Sequence, residues 1–320
     1  MMFSIIIPVY NRPEEIRELL NSFDLQTYSN FEVVIIEDGS EETSEDVVQN
    51  HHSFFPINYL MQENKGQGFA RNKGMENAKG DFYIILDSDV ILPEGYLESV
   101  RVAVLDRKLD AFGGPDRAME AFSDLQKAMD FAMTSFWTTG GIRGKMKNAG
   151  KYQARGYNMG VSAEVFKKTG GFLDPNRGED IEWSLRIKKS GFKLELVEDA
   201  YVFHKRKSDL KGFAKQAYSF GENRVNVSRF HPEAIQLVHI LPSLFLFLLV
   251  SIPLVHAFDE RLSGTQIGFL ILWSVGIFVQ SFEKYKDLKI CVLSWVCSVT
   301  QLSFYGMGFI KELLLKTFKG

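Results

Sequence analysis

The chain has 320 residues, with 37 Lys and Arg against 40 Asp and Glu for a net charge of −3, and only two cysteines. That length can bury a sizeable core, and the near-balance of charge gives no ground for a nucleic-acid partner. Cys291 and Cys297 lie inside one apolar stretch, which excludes a disulfide framework and a Cys-based zinc site. The average hides a division: residues 1–203 hold 23 basic and 32 acidic side chains, 204–230 hold 7 and 2, and 231–320 hold 7 and 6. The expected organisation is an acidic body over 1–203, a basic joining segment over 204–232 and an apolar region over 233–320.

The opening MMFSIIIPVYNRPEE lacks the basic start of a secretory signal and meets Pro and charge too soon, so it reads as a first strand. FSIIIPV (3–9) and FEVVIIE (31–37) are continuous apolar runs rich in β-branched residues, the pattern of strands covered on both faces. Between them Pro13 stands where a first helical turn tolerates it, and Ile16, Leu19, Leu20 and Phe23 recur at helical spacing. INYLMQ (57–62), FYIILD (82–87) and DAFGG (110–114) continue the strands, with GFARNKGMENA (68–78) and GYLESVRVAVLD (95–106) as helices. Such alternation predicts an α/β fold with βαβ units and a mostly parallel sheet.

Ligands of such sheets bind beyond the carboxyl ends of the strands. PVYNR after the first strand, EDGS after the second and DSD after the fourth should therefore converge on one edge. Asp87 and Asp89 in DSD can share a hard divalent cation, Mn²⁺ or Mg²⁺, whose remaining ligands are phosphate oxygens. Asp-X-Asp is also common on solvated turns; its place straight after a buried strand favours the cation. In GEDIEWSLRI, Gly178 precedes a helix that Ile181, Leu185 and Ile187 anchor. Glu179 and Asp180 then occupy its first turn, where the helix dipole favours ionised carboxylates.

The basic segment HKRKSDLKGFAKQAYSFGENRVNVSRF suits an amphipathic helix with Leu210, Phe213, Ala217 and Phe220 on one side, lying on anionic lipid or simply solvated. Beyond it, apolar stretches near 234–258, 265–282 and 288–310 each approach the roughly 20 residues that span a bilayer. Two to three transmembrane helices are expected, with Pro242 and Pro253 as kink points of the first. The Lys- and Arg-rich flank places the body on the cytoplasmic side of the inner membrane. Three crossings would export a C-terminus containing Lys311, Lys316 and Lys319, so one stretch is open to lying in the interface instead.

IIIPVYNR, VVIIEDGS, NKGQGFARNKG, GDFYIILDSDV and GEDIEWSLRI, in this order and spacing, resemble the family 2 glycosyltransferases of GT-A fold across residues 3–230. MTSFWTTGGIRG and YNMGVSAEVFKKTGGF, with the apolar tail, look like a bacterial envelope-glycan subgroup. The resemblance implies inverting transfer of a sugar from a nucleotide diphosphate, a UDP-sugar first among candidates, to a hydroxyl of a glycan or lipid-linked acceptor. It implies that Asp38 holds the nucleobase with Pro8, Tyr10 and Arg12 lining its pocket, Tyr10 either stacking on the base or packing at the strand end. Lys65 and Arg71 flank Gly66 and Gly68 near the diphosphate, in a loop that reads equally as a plain helix cap. Asp87 lies near ribose and metal, Asp89 ligates the metal, and His204 is either a third metal-side group or a histidine at the membrane surface. Asp180 is implied as general base, with Glu179 orienting it or binding the acceptor.

No Gln-X-X-Arg-Trp follows the hinge, where KQAYSFGENR stands, so one sugar per encounter is expected rather than processive synthesis. Trp183 stands where related sequences carry a smaller residue, and Phe136, Trp137 and Tyr157 are candidates either for stacking on sugars or for core packing. A sugar nucleotidyltransferase and an inactive membrane-tethered scaffold are the competing readings. The first lacks its expected Gly- and Arg/Lys-rich loop, because VYNRPEE occupies that place.

Overall fold

The computed structural model describes residues 1–117, 123–140, 152–174, 177–204 and 209–319. The chain divides into two compact units. The first contains most of residues 1–205. The second contains α5 (Asp124–Thr134), α6 (Phe136–Thr139) and everything from α9 onward. The acidic body is thus not one continuous block: the two helices drawn from 120–146 pack with the C-terminal region.

In the first unit a seven-stranded sheet runs in the order β3-β2-β1-β4-β8-β6-β9. β1 (Phe3–Val9), β2 (Phe31–Asp38), β3 (Ile57–Gln62) and β4 (Phe82–Leu86) are parallel, as the alternation predicts. Side chains alternate across a strand, and both sets here are apolar. Phe3, Ile5 and Ile7 of β1 join Phe31, Val33 and Ile35 of β2 on one face, under Ile16, Leu19, Leu20 and Phe23 of α1 (Pro13–Asp24). Ile6, Val34, Ile36 and Ile85 fill the other face, with Met75 of α3 (Gln67–Glu76) and Trp183 and Ile187 of α8 (Glu179–Lys189). Each such Ile or Phe contributes about 2–3 kcal/mol by leaving water.

α3 can lie this close because Gly74 has no side chain. A Cβ there would come within 2.5 Å of both Ile36 Cδ1 and Ile6 Cγ2. β8 (Asn158–Ser162) runs antiparallel to both β4 and β6 (Ala111–Gly113), a strand the apolar-run criterion does not find because NMGVS is short and holds a glycine. Gly160 is there to admit the rings of Phe112 and Phe82, which stack with centroids 6.0 Å apart. β9 (Leu194–Leu196) closes that edge parallel to β6, beyond α4 (Tyr96–Arg107) and α7 (Ala163–Thr169) in chain order. A second, three-stranded sheet joins β5 (Val90–Ile91), β10 (Val202–His204) and β7 (Asp116–Arg117).

Glu37 and Asp38, at the end of β2, each hold a loop. Glu37 accepts hydrogen bonds from Ser40 Oγ, from Ser44 N at 2.8 Å and from Tyr59 Oη at 2.8 Å, fixing the segment before α2 (Glu45–Gln49).

The second unit is helical. α9 (Leu210–Phe230) is the helix expected of the basic segment, with Phe213 and Ala217 buried. α10 (Leu241–Phe258), α11 (Glu260–Tyr285) and α12 (Leu288–Lys319) include three stretches long and apolar enough to cross a membrane. Pro242 sits in the first turn of α10, where its missing N–H costs nothing, and Pro253 lies inside the helix. α9 packs on α12 backbone to backbone. A Cβ on Gly221 would stand 2.1 Å from the Tyr305 carbonyl oxygen, and one on Gly308 would stand 2.1 Å from that of Tyr218.

Replacing Gly308 with Val should therefore force the two helices apart, at a cost of about 1–3 kcal/mol. Gly268 in α11 has nothing within 4 Å of a built Cβ, so Gly268→Ala should be neutral. Thermal melts of the detergent-purified chain check both. Equal midpoints for the Gly308 and Gly268 variants would remove the close-packing argument.

Candidate active site

Strand order reverses between β1 and β4, with β2 and β3 continuing on one side of β1 and β8 on the other side of β4. That switch point is where an open α/β sheet leaves a crevice at its carboxyl edge. Five of the expected residues, Arg12, Arg71, Asp87, Asp89 and Glu179, meet around it in three ion pairs. Arg12, just after β1, donates to Asp89 Oδ2 at 2.6 Å, bridging the first and fourth strand ends. Burial alone would lower the pKa of Arg12, but Asp89 outweighs it, so the guanidinium is held charged more firmly than usual. Asn11 takes a left-handed φ of 53° and accepts from the N–H groups of Glu41 and Glu42 at 2.8 and 3.1 Å, tying the β1 loop to the β2 loop. Asn11 lies inside the PVYNR motif, but only its neighbours are expected to act.

Asp38 is buried. Its carboxylate accepts from Gln62 Nε2 at 2.7 Å and from the backbone N–H groups of Lys65 and Gly66, each at 2.9 Å. Gly66 caps α3 at a φ of 90°, open to glycine at little cost, which lets that N–H turn toward Asp38. The Gly-rich loop therefore serves first as a cradle for this carboxylate. Pro8 is buried, and the Lys65 side chain and Tyr10 ring are exposed, Tyr10 by half.

Arg71 points away from solvent, only 1% exposed. Its Nη2 donates to Asp87 Oδ1 at 2.6 Å and its Nη1 to Glu179 Oε1 at 3.0 Å, while its guanidinium lies 5.3 Å from the Phe172 ring centre. Burial pushes the pKa of Arg71 down, and Asp87 with Glu179 more than restores it. Gly156 makes room for this group, since a Cβ there would lie 2.7–2.8 Å from the guanidinium atoms. The residue expected beside a diphosphate thus joins the DSD loop to the head of α8.

α8 starts at Gly178, with a left-handed φ of 78°. Glu179 is buried and receives Gln67 Nε2 at 2.8 Å as well as Arg71. Asp180 is half-buried and accepts from Gly156 N at 3.2 Å and Ile181 N at 2.7 Å. Of the two carboxylates, Asp180 is the one partly open to solvent. Gly156 and Gln67 are partners that sequence reasoning missed; Gln67 stands within NKGQGFARNKG, whereas nothing local marks Gly156. Trp183 belongs to the core: it is fully buried, with Nε1 donating to Thr169 Oγ1 at 2.7 Å. Tyr157 Oη donates to Asp116 at 3.1 Å, and Trp137 lies on Gly276 of α11 within the second unit.

Asp87 and Asp89 offer hard oxygen donors, the chemistry Mn²⁺ and Mg²⁺ require. Among the described residues no three His, Cys, Asp or Glu side chains gather as a metal-ligand group. The pair therefore fits a cation that completes its shell with ligand oxygens and water. Backbone register pairs His204 with Val90, the residue after Asp89. The His204 side chain lies outside the described residues.

With this geometry in place, comparison with known proteins decides the class. Residues 4–170 match the family model described as glycosyl transferase family 2. The chain belongs to that family. It is 28% identical over 321 residues to the dolichyl N-acetyl-alpha-D-glucosaminyl phosphate 3-beta-D-2,3-diacetamido-2,3-dideoxy-beta-D-glucuronosyltransferase of Methanococcus voltae, covering 95% of this chain and 96% of that one. It is 23% identical to glycosyltransferase AglE of Haloferax volcanii, covering 93% of each. Among solved structures it shares the fold of the mannosyltransferase PcManGT of Pyrobaculum calidifontis, determined with GDP-Man and Mn²⁺. The TM-score is 0.70 at 17% identity, covering 97% of this chain and 86% of that one. S. aureus TarS with UDP-GlcNAc gives a TM-score of 0.51 at 15% identity, covering 98% and 92%. The family 2 glycosyltransferase with a GT-A-like sheet expected from the motifs is thereby established, and the nucleotidyltransferase reading falls.

Burial, then the neighbouring Asp180, pushes the Glu179 carboxyl up to about 7, against the pull of Arg71. A carboxyl with a raised pKa binds its proton more tightly folded than unfolded. Its contribution to stability therefore falls as pH climbs from the ordinary 4.5 through about 7, and stays low above. Glu179→Gln removes that titration. The variant should gain on the parent across this window by on the order of a few kcal/mol, read by thermal melts from about pH 5 to about pH 8. Parallel pH profiles for variant and parent would reject the assignment.

Proposed function

We propose that this glycosyltransferase moves one sugar, with inversion, from a nucleotide diphosphate to a hydroxyl of a lipid-linked glycan at the cytoplasmic face of a membrane. The observation that carries the reading is the continuous ionic chain Asp87–Arg71–Glu179, which connects the strand-end loop on the nucleotide side to the helix head on the acceptor side. Asp38, Pro8, Tyr10, Arg12 and Lys65 form the nucleotide side. Arg71 holds Asp87 in place for it.

Asp87 and Asp89 would hold Mn²⁺ or Mg²⁺ together with diphosphate oxygens. A cation there supplies Lewis-acid stabilisation of the charge on the departing diphosphate. The neighbour determined with Mn²⁺ supports this choice. Asp180 takes the proton of the acceptor hydroxyl as its oxygen attacks the sugar carbon from the side opposite the diphosphate. Displacement from that side inverts the anomeric centre, and fixed placement of the two reactants supplies much of the rate. Glu179, buried and bonded twice, orients the helix head on which Asp180 stands.

A lipid-linked acceptor is supported by the name of the Methanococcus voltae relative, a transferase acting on a dolichyl-phosphate-linked sugar. The apolar helices and the Lys-rich flanks of the second unit support a membrane anchor. Neighbours determined with GDP-Man and with UDP-GlcNAc bracket the donor class, and the UDP-sugar remains our first choice.

Asp180→Asn should lower transfer by about 10²–10⁴-fold while leaving nucleotide binding within about twofold of the parent. Retained turnover would exclude Asp180 as the base. Asp89→Ala should abolish the Mn²⁺ dependence of nucleotide release from a panel of UDP-, GDP- and TDP-sugars. Transfer that survives both chelation and this variant would exclude the cation.

A further inference from the structure

The three long apolar helices are not equivalent. Within their most apolar windows α10 and α11 are 11% and 17% buried, as lipid-facing spans should be, whereas α12 is 44% buried. α10 and α11 are joined by a tight turn at Asp259 and run antiparallel, with Gln266 on Ser251 at 3.1 Å and His256 on Ser263 at 3.1 Å. α12 is covered by α9. Phe213 packs in one cluster with Cys297, Gly221 meets Tyr305 and Phe309, Glu222 pairs with Lys311, and Lys316 bonds to Ser228. The contacts advance together along both helices, so α9 runs parallel to α12 from about residue 297 to 316.

α9 carries Lys211, Lys215, Glu222, Arg224 and Arg229 within 21 residues. A helix packed on it backbone to backbone cannot pass through hydrocarbon without taking those charges along, which the bilayer core penalises heavily. The lysines agree. Lys284, Lys286 and Lys289 flank the α11–α12 turn, and Lys311, Lys316 and Lys319 fall near the end of α12. Both groups stay on the positive side of a membrane only if α12 does not cross it.

We propose, resting on the membrane-anchor reading above, that α10 and α11 form the spanning hairpin and that α12 is an interfacial helix. Its outward strip of Met307, Ile310, Leu314 and Phe318, 38–81% exposed, is seated on the lipid boundary. The strip recurs at helical spacing and continues beside Leu246 of α10 in one open apolar groove. Its partner is the bilayer surface: acyl chains under the strip, anionic headgroups beside the flanking lysines. The chain then ends on the side of the membrane where α9 begins.

Single-cysteine reporters in sealed vesicles of known orientation test this in the full chain, because native Cys291 and Cys297 are both buried. A membrane-impermeant maleimide should label Glu283→Cys and Thr317→Cys from one side and Glu260→Cys from the other. Labelling of Thr317→Cys from the side that labels Glu260→Cys would make α12 a third span and overturn the proposal. Labelling of Glu260→Cys and Glu283→Cys from the same side would instead overturn the membrane hairpin, and this inference with it. A fluorophore on Ile310→Cys should be quenched by lipids brominated near the headgroup and shielded from aqueous iodide. Iodide quenching without lipid quenching would unseat the strip.

Discussion

The buried Arg71 guanidinium, held between Asp87 and Glu179, is the interaction on which the catalytic unit turns. A lone cation at that depth would be intolerable, and breaking a buried ion pair by removing one partner typically costs about 3–5 kcal/mol. The surrounding chain is shaped to keep this one satisfied. Gly74 lets α3 approach the sheet, Gly156 clears space for the guanidinium, and Gly178 turns the chain so that Glu179 enters α8 facing inward. Three glycines distant in sequence serve one charge. Because that charge touches Asp87 of the strand-end loop and Glu179 at the head of α8, these two segments cannot be displaced independently.

The second unit uses the same absence of side chains for a different end. Gly221 and Gly308 bring two helix backbones together, and Gly276 receives the Trp137 ring. Close backbone approach and a few hydrogen bonds fasten these helices alongside the apolar clusters around Phe213 and Trp273. Ser135 donating to Gln280 at 2.6 Å, and Trp273 donating to the Trp137 carbonyl at 2.9 Å, are bonds of that kind.

What could be read from the residues alone follows the range of the forces involved. β1, β2 and β4 were legible because each carries a run of consecutive apolar residues, a local signal that needs no partner. β8 was not, because NMGVS earns its place only through Phe82 and Phe112, far away in the chain. The head of α8 was legible as a helix start bearing carboxylates, yet which of them faces outward was not. That depends on Gln67 and Arg71, more than 100 residues earlier, occupying Glu179. Arg71 shows the limit most clearly: its charge is written in the sequence, its direction is not. The grouping of α5 and α6 with the C-terminal helices rests on contacts such as Ser135 with Gln280, 145 residues apart, and no composition boundary announces it.

Glu37 and Asp38 carry one last implication. Adjacent residues of a strand face opposite ways, so the first secures the loop before α2 and the second the loop before α3. Between Val33 and Ile36 the strand is apolar on both sides, so oil-and-water patterning of that stretch alone would tolerate a slip of one position. Such a slip would carry both acids off their donors, putting only one of them in the other's place. Alignment of this central strand is thereby policed by its polar tip.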